Sequence, residues 1–223
     1  MRKYDLIVFD WDGTLMDSEA RIVCCMQLAA VECGHIQPTD AAARDIIGLG
    51  LKEAIERLFP EVDELGITAI GDAYRTHWLA DDVPHSVLFD GATALIEQLA
   101  QNDYLLAVAT GKSRRGLDAV FYQCGLGEMF HASRCADEAF SKPHPQMLED
   151  ILTDLNTEPH KALVIGDTEY DMQMASNAKV DAIGIVHGVH SEERLVKNGA
   201  LTVLQQLSEL PIWLDNLHKE TNT

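Results

Sequence analysis

Asp10 and Asp12 are the residues whose type and spacing point most directly to chemistry. They close the apolar run Leu6-Ile7-Val8-Phe9 and are followed by Gly13-Thr14. A short apolar, β-branched run ended by Asp and Gly reads as a buried strand. Open α/β sheets place their ligands at the C-terminal ends of such strands. Side chains two residues apart share a face where the strand continues. Two carboxylates held there repel unless a cation or a shared proton relieves them. The arrangement suits a nucleophile or metal ligand beside an acid–base partner. A calcium-binding EF-hand is excluded, because it wants Gly at its sixth position and Glu at its twelfth. Counted from Asp10, Gly13 is fourth and Arg21 is twelfth.

Asp10 to Leu15 resembles the first motif of the haloacid dehalogenase-like superfamily, Asp-x-Asp-Gly-Thr-Leu. That family's later motifs follow in order. A strand-like run Leu105-Leu106-Ala107-Val108-Ala109 leads into Thr110-Gly111-Lys112, and Lys142 lies in Ser141-Lys142-Pro143-His144-Pro145. A further apolar run, Ala162-Leu163-Val164-Ile165, leads into Gly166-Asp167-Thr168-Glu169-Tyr170-Asp171. The set spans Asp10 to Asp171, most of the chain. Gly111-Lys112-Ser113 also looks like the tail of a P-loop, but Leu106 stands where that loop needs its first glycine.

The resemblance implies roles. Asp10 would be the nucleophile, attacking phosphorus to form an aspartyl-phosphate. Asp12 would protonate the leaving alkoxide and then deprotonate the attacking water. The Thr110 hydroxyl and the Gly111 N–H would donate to phosphoryl oxygens, where charge accumulates in the transition state. Relatives often carry Asn where Gly111 stands. Lys142 would be a fixed positive charge between nucleophile and phosphate, with Pro143 and Pro145 restricting the backbone around it. Mg²⁺, which prefers octahedral oxygen ligands, would be held by Asp10, the Asp12 carbonyl and Asp167. Asp171 would act as a direct ligand or through water.

The chain is most similar to cap-bearing phosphatases of that family, such as the phosphoglycolate phosphatases. In these a helical cap closes over the site, excludes water and selects substrate. Arg44 to Gly50 is the cap segment expected to face the substrate, with Arg44 and Gly48 as substrate-binding candidates. Gly48 reads equally as a helix C-cap, and Arg44 as a solvated helix residue.

Periodicity gives the elements that must position these residues. Helices are expected over 18–33, 39–47, 52–59 and 63–79, with Ser18 or Asp17 and Thr39 as N-caps and Gly34 closing the first. No strand-like run appears between Leu15 and about Val83. From Asp90-Gly91 helices and strands alternate: helices over 92–102, 114–124, 145–155 and 170–177, strands over 104–109, 162–165 and 181–186. Alternation of this kind implies βαβ units and a parallel sheet. The expected fold is a doubly wound parallel α/β core, residues 1–16 and 86–223, with an all-helical cap over residues 17–85.

Composition agrees with a compact enzyme. The chain has 223 residues, 47% of them hydrophobic, and a formal net charge of −19. It lacks the basic footprint of a nucleic-acid-binding protein and would be repelled by anionic membranes. An anionic substrate then needs local cations. The five cysteines, Cys24, Cys25, Cys33, Cys124 and Cys135, are odd in number and form no C-x-x-C pair. They suit free thiols in a reducing cytosol. The N-terminal apolar run is too short for a signal peptide. His187 and His190 read as solvated loop residues rather than metal ligands.

The expected activity is Mg²⁺-dependent hydrolysis of a small phosphorylated metabolite by a cytoplasmic monomer or homodimer. Asp12 favours phosphoryl transfer, because dehalogenases and phosphonoacetaldehyde hydrolases of the same superfamily lack an acid at its position. A sugar phosphomutase, a pyrophosphatase and a catalytically silent binding module are the alternatives.

Overall fold

The computed structural model describes residues 2–220. Residue 1 and residues 221–223 of the expected core lie outside the described residues. Along the chain run β1 (Leu6–Phe9), β2 (Met16–Asp17), α1 (Glu19–Glu32), α2 (Asp40–Asp45), α3 (Leu51–Leu58), α4 (Glu64–Trp78) and β3 (Val87–Leu88). Then come α5 (Ala92–Gln101), β4 (Leu105–Thr110), α6 (Arg114–Cys124), β5 (Ala132–Cys135), α7 (Gln146–Asp154) and β6 (Ala162–Gly166). α8 (Glu169–Asn177), β7 (Asp181–Ile185), α9 (Glu192–Lys197), β8 (Val203–Leu204) and α10 (Leu210–Glu220) complete the order.

Six strands form one sheet in the order β5-β4-β1-β6-β7-β8. Every pairing in it is parallel, with Leu6 opposite Leu105 on one side and Ala162 on the other. Helices cover both faces, as the period-2 alternation of a strand requires. On β1, Ile7 and Phe9 enter one apolar cluster, with Leu95 and Ile96 of α5, Leu117 of α6 and Leu210 of α10. Leu6 and Val8 enter the other, with Ile151 of α7, Met172 of α8 and Leu195 of α9. β1 is wholly buried at the centre of the sheet.

The helices between β2 and β3 have a separate core, in which Ile22, Met26, Ile47, Ile55 and Ile70 meet. Thr39 caps α2 by accepting from the Ala42 N–H, and Gly34 follows α1 with φ of 79°. β2 and β3 pair antiparallel, Met16 with Leu88 and Asp17 with Val87, where the chain leaves the sheet and returns. This ribbon corrects the expectation of no strand after Leu15; two residues are too short to show alternation. Ser18 does stand at the start of α1, but its hydroxyl makes no cap bond and is used in the site.

Candidate active site

The parallel sheet brings the chemically distinctive residues to one edge. Asp10 follows β1, Asp167 follows β6 and Thr110 ends β4. Lys142 comes from the connection between β5 and α7. Asp10, Asp12, Thr110, Lys142, Asp167 and Asp171 are all buried. The Asp10 N–H donates to the Ile165 carbonyl at 2.9 Å, which fixes where the nucleophile candidate leaves the sheet.

Lys142 Nζ lies 2.7 Å from Asp10 Oδ1 and 2.6 Å from Asp171 Oδ1. The Asp10 contact is an ion pair outside hydrogen-bond alignment, and Asp10 Oδ2 has no protein donor. Burial, reinforced by the Asp171 and Asp167 charges, raises the Asp10 pKa well above the usual carboxylate range even against Lys142. Burial works against the Lys142 charge, but Asp10 and Asp171 outweigh it and hold its pKa above the usual lysine value.

Asp167 is aimed from several sides. The Thr14 hydroxyl donates to its Oδ1 at 2.8 Å and the Val189 N–H to its Oδ2 at 3.0 Å. Gly13, at φ of 84°, presses against this carboxylate, and a Cβ there would lie 2.7 Å from Asp167 Cγ. Gly188 closes on the same carboxylate from the loop after β7. Burial first, and then the Asp171 charge, push the Asp167 pKa up to about 7. Asp171 Oδ2 accepts from both the Thr168 N–H and its hydroxyl, forming the capping box of α8.

Oxygen atoms of Asp10, Asp167 and Asp171 all lie within 4.8 Å of one another. An all-oxygen donor set of this size, with an unpartnered buried carboxylate oxygen, fits a hard divalent cation such as Mg²⁺. Asp171 already serves Lys142 and the α8 cap, which suits an outer position.

Asp12 carries a partner that sequence reasoning passed over. Lys112 Nζ donates to Asp12 Oδ1 at 2.8 Å and to Oδ2 at 2.9 Å, and the Ser18 hydroxyl donates to Oδ1 at 2.6 Å. The only sequence signal was a Lys two residues beyond a strand-ending Thr. The Lys112 N–H also donates to Thr110 Oγ1 at 3.2 Å, which leaves the Thr110 proton free for an incoming oxygen.

The two cap candidates part company. Gly48, at φ of 98°, packs on Thr168, and its carbonyl would lie 2.9 Å from a Cβ on Gly111. The Gly50 N–H donates to Ser141 Oγ at 2.8 Å. The 48–50 loop therefore rests on Gly111, just beyond β4, and on Ser141, the neighbour of Lys142 in the connection between β5 and α7. Arg44 is held elsewhere by an ion pair. It pairs with Glu19 and lines a polar cleft between α1 and α2, with Gln27 and Asp40. That cleft contains none of the buried acids, and the charge partner of Arg44 is Glu19, next to the Ser18 that bonds Asp12.

His190 is also corrected: it is buried, not solvated. Its Nδ1 accepts from the Glu169 N–H at 2.9 Å, and its Nε2 faces Asp45 Oδ1 at 3.7 Å. His187 is half-buried, lies 3.0 Å from the Thr14 carbonyl and packs on Phe89. Among the described residues no helix is long and apolar enough to cross a membrane.

A family model described as haloacid dehalogenase-like hydrolase matches residues 7–185. A probable phosphatase, IndB, of Dickeya dadantii is 29% identical over 92% of this chain and 91% of its own length. A phosphoglycolate phosphatase of Agrobacterium fabrum is 28% identical, covering 82% of this chain and 81% of its own. A haloacid dehalogenase-like hydrolase structure from Bacteroides fragilis superposes with a TM-score of 0.86 at 23% identity. It covers 93% of this chain and 100% of its own, and shows the fold.

Proposed function

The chain belongs to the haloacid dehalogenase-like hydrolase family, and from that premise we propose that it is a Mg²⁺-dependent phosphatase of a small organic phosphate monoester, working through an aspartyl-phosphate. It is a phosphatase in the same broad sense as its relatives. One observation carries the finer reading. Asp10 Oδ2 is buried without a protein donor, while Oδ1 sits 2.7 Å from a buried Lys142. A carboxylate so placed has one oxygen free to attack and a neighbouring charge to receive a phosphoryl group.

Asp10 Oδ2 attacks phosphorus and the bond to the ester oxygen breaks. Asp12 gives its proton to the departing alkoxide. Asp12 then takes a proton from water, the resulting hydroxide attacks phosphorus, and inorganic phosphate leaves with Asp10 restored. Splitting hydrolysis in this way replaces one difficult step by two easier ones. Lys142 and the Thr110 hydroxyl hold the phosphoryl oxygens, and the Gly111 N–H adds a donor. Mg²⁺, held by Asp10, Asp167 and the Asp12 carbonyl with Asp171 behind them, would supply positive charge to the phosphoryl oxygens. The helical block over 17–85 serves as the cap, and its 48–50 loop excludes water when seated on Gly111. The spacing of the cysteines suits a cytosolic setting.

The test is phosphate release from a panel of phosphate esters, with Mg²⁺ and with EDTA, for the protein and for Asp10→Asn. We expect metal-dependent release that Asp10→Asn abolishes. Release that persists in Asp10→Asn refutes the mechanism. Conversion of a sugar phosphate without release of phosphate would identify a mutase instead.

A further inference from the structure

His190 is a buried polar side chain that the proposed reaction does not use. It lies in the loop after β7 and is 4% exposed. Its Nδ1 accepts from the Glu169 N–H at 2.9 Å, so the proton of the neutral ring sits on Nε2. Nε2 has no hydrogen-bond partner among the described residues and faces Asp45 Oδ1 at 3.7 Å. A buried donor without an acceptor carries a cost. A small approach of the two groups, to within about 3.2 Å, would remove it.

The loop that carries His190 has a second set of contacts, on its other side. The Val189 N–H donates to Asp167 Oδ2 at 3.0 Å and the His190 N–H to the Asp167 carbonyl at 3.3 Å. The Val189 side chain packs against the apolar core of the helical block. Asp45, the last residue of α2, belongs to that block. It rests on the α/β core through three groups. Arg194 and the His190 ring face its Oδ1, and the Tyr170 hydroxyl donates to its carbonyl at 2.6 Å. Tyr170 also meets the His190 ring edge to face, with centroids 5.5 Å apart. Two adjacent residues therefore touch the helical block with their side chains and a candidate cation ligand with their backbones. A segment that short does not shift at one end without shifting at the other.

We infer that His190 is a positioning residue that couples the seating of the helical block to the hold on the divalent cation: Asp45 docks on its ring, and the loop then fixes Asp167 for the metal. This rests on the reading of Asp167 as a Mg²⁺ ligand and adds a route by which the block governs the ion. Coupling between two binding events is reciprocal, so Mg²⁺ must strengthen the docking by the same factor.

The test is a mutant cycle read by calorimetric titration of Mg²⁺ into the protein without substrate. His190→Asn keeps an acceptor for the Glu169 N–H but is too short to reach Asp45. Asp45→Ala removes the other end, and His190→Gln returns a donor of similar reach. Each of the first two should weaken Mg²⁺ binding by about 3- to 10-fold, the scale of one hydrogen bond. The double variant should be no weaker than the worse single one, because both changes cut one path. His190→Gln should recover part of the affinity. In phosphate release from p-nitrophenyl phosphate, the weakened variants should need more Mg²⁺ for half-maximal rate and regain kcat when it saturates. A merely structural role would lower the unfolding temperature and leave Mg²⁺ affinity alone. Unchanged affinity in both single variants, or additive losses in the double variant, would overturn the inference and leave the phosphatase reading intact. No Mg²⁺ binding by the unaltered protein would overturn the cation reading and the inference with it. Asp45→Ala, at a half-exposed position, decides the question alone if the His190 variants fail to fold.

Discussion

Gly13→Ala isolates what the placement of Asp167 is worth. A Cβ on Gly13 would stand 2.7 Å from Asp167 Cγ and 2.9 Å from its Oδ1, where ordinary contact begins at 3.4 Å. Asp167 Oδ2 would stand closer still, so the carboxylate must give by about 1 Å, and misplacement of a reacting or positioning group by ~1 Å costs on the order of 100-fold in rate. It has nowhere to retreat, because Gly188 presses on it from the other side. The substitution also strains the backbone, since Gly13 has φ of 84°. Gly34→Ala supplies the matched control: its φ is 79° and its Cβ would meet nothing within 4 Å. Gly34→Ala should lose about 1–2 kcal/mol of stability, the left-handed penalty for a residue with a Cβ, and Gly13→Ala about 1–3 kcal/mol more from the clash with Asp167. Only Gly13→Ala should lose phosphatase activity by roughly 100-fold or more, with a rise in the Mg²⁺ concentration needed for half-maximal rate. The assays are thermal unfolding and phosphate release across a Mg²⁺ series. Equal activity in the two variants would refute the view that Asp167 must be held where it is.

Three further perturbations test the same framework. Lys142→Met leaves Asp10 and Asp171 facing each other unneutralised, so it should abolish turnover and destabilise the protein by about 3–5 kcal/mol at neutral pH; an unchanged unfolding temperature counts against the buried triad. The raised pKa values of Asp10 and Asp167 mean that the folded state holds protons that the unfolded chain has lost, so in EDTA stability should fall as pH rises from about 4 towards 7. Saturating Mg²⁺ should flatten that fall, and identical pH profiles with and without the ion would show that these carboxylates do not hold it. Asp45→Ala removes the residue that joins the helical block to Arg194 of the core and also pairs with Arg57 within the block, half-exposed pairs worth about 1 kcal/mol; it should lower the unfolding temperature by about 2–4 °C and raise KM, and an unchanged KM would show that this contact does not help close the helical block on the core.

Legibility in the sequence followed the range of the contacts involved. β1, β4 and β6 were readable because each is a run of buried apolar residues ended by a motif. β5 was not: Ala132-Ser133-Arg134-Cys135 lies at the sheet edge with only Cys135 buried, so no apolar pattern marks it. Arg44 was placed by proximity to Gly48, yet Glu19, 25 residues away, captures it. Lys112 was unreadable for the same reason, since its partner Asp12 is 100 residues distant. His190 is buried by a cap–core contact, through Asp45 on one side and Glu169 on the other, which no local pattern records. Local periodicity fixes strands and helices; ion pairs across a parallel sheet depend on which strand ends become neighbours.

The acidity of the whole chain and the anionic character of its substrate are reconciled within the site. Surface charges beyond about 10 Å are largely screened at ordinary ionic strength, so the net −19 matters less than what faces the phosphorus. There, four carboxylates, Asp10, Asp12, Asp167 and Asp171, meet two ammonium groups, Lys112 and Lys142. With Asp12 carrying the proton it gives to the leaving group, the residual is one negative charge, which a divalent cation would turn into one positive charge facing the phosphate. The lysines are divided rather than paired, one behind the nucleophile and one beside the acid. Lys142 thus offsets the charge of the nucleophile and of Asp171, while Lys112 offsets that of the acid–base residue, so each carboxylate beside the phosphorus has a cation in its own neighbourhood.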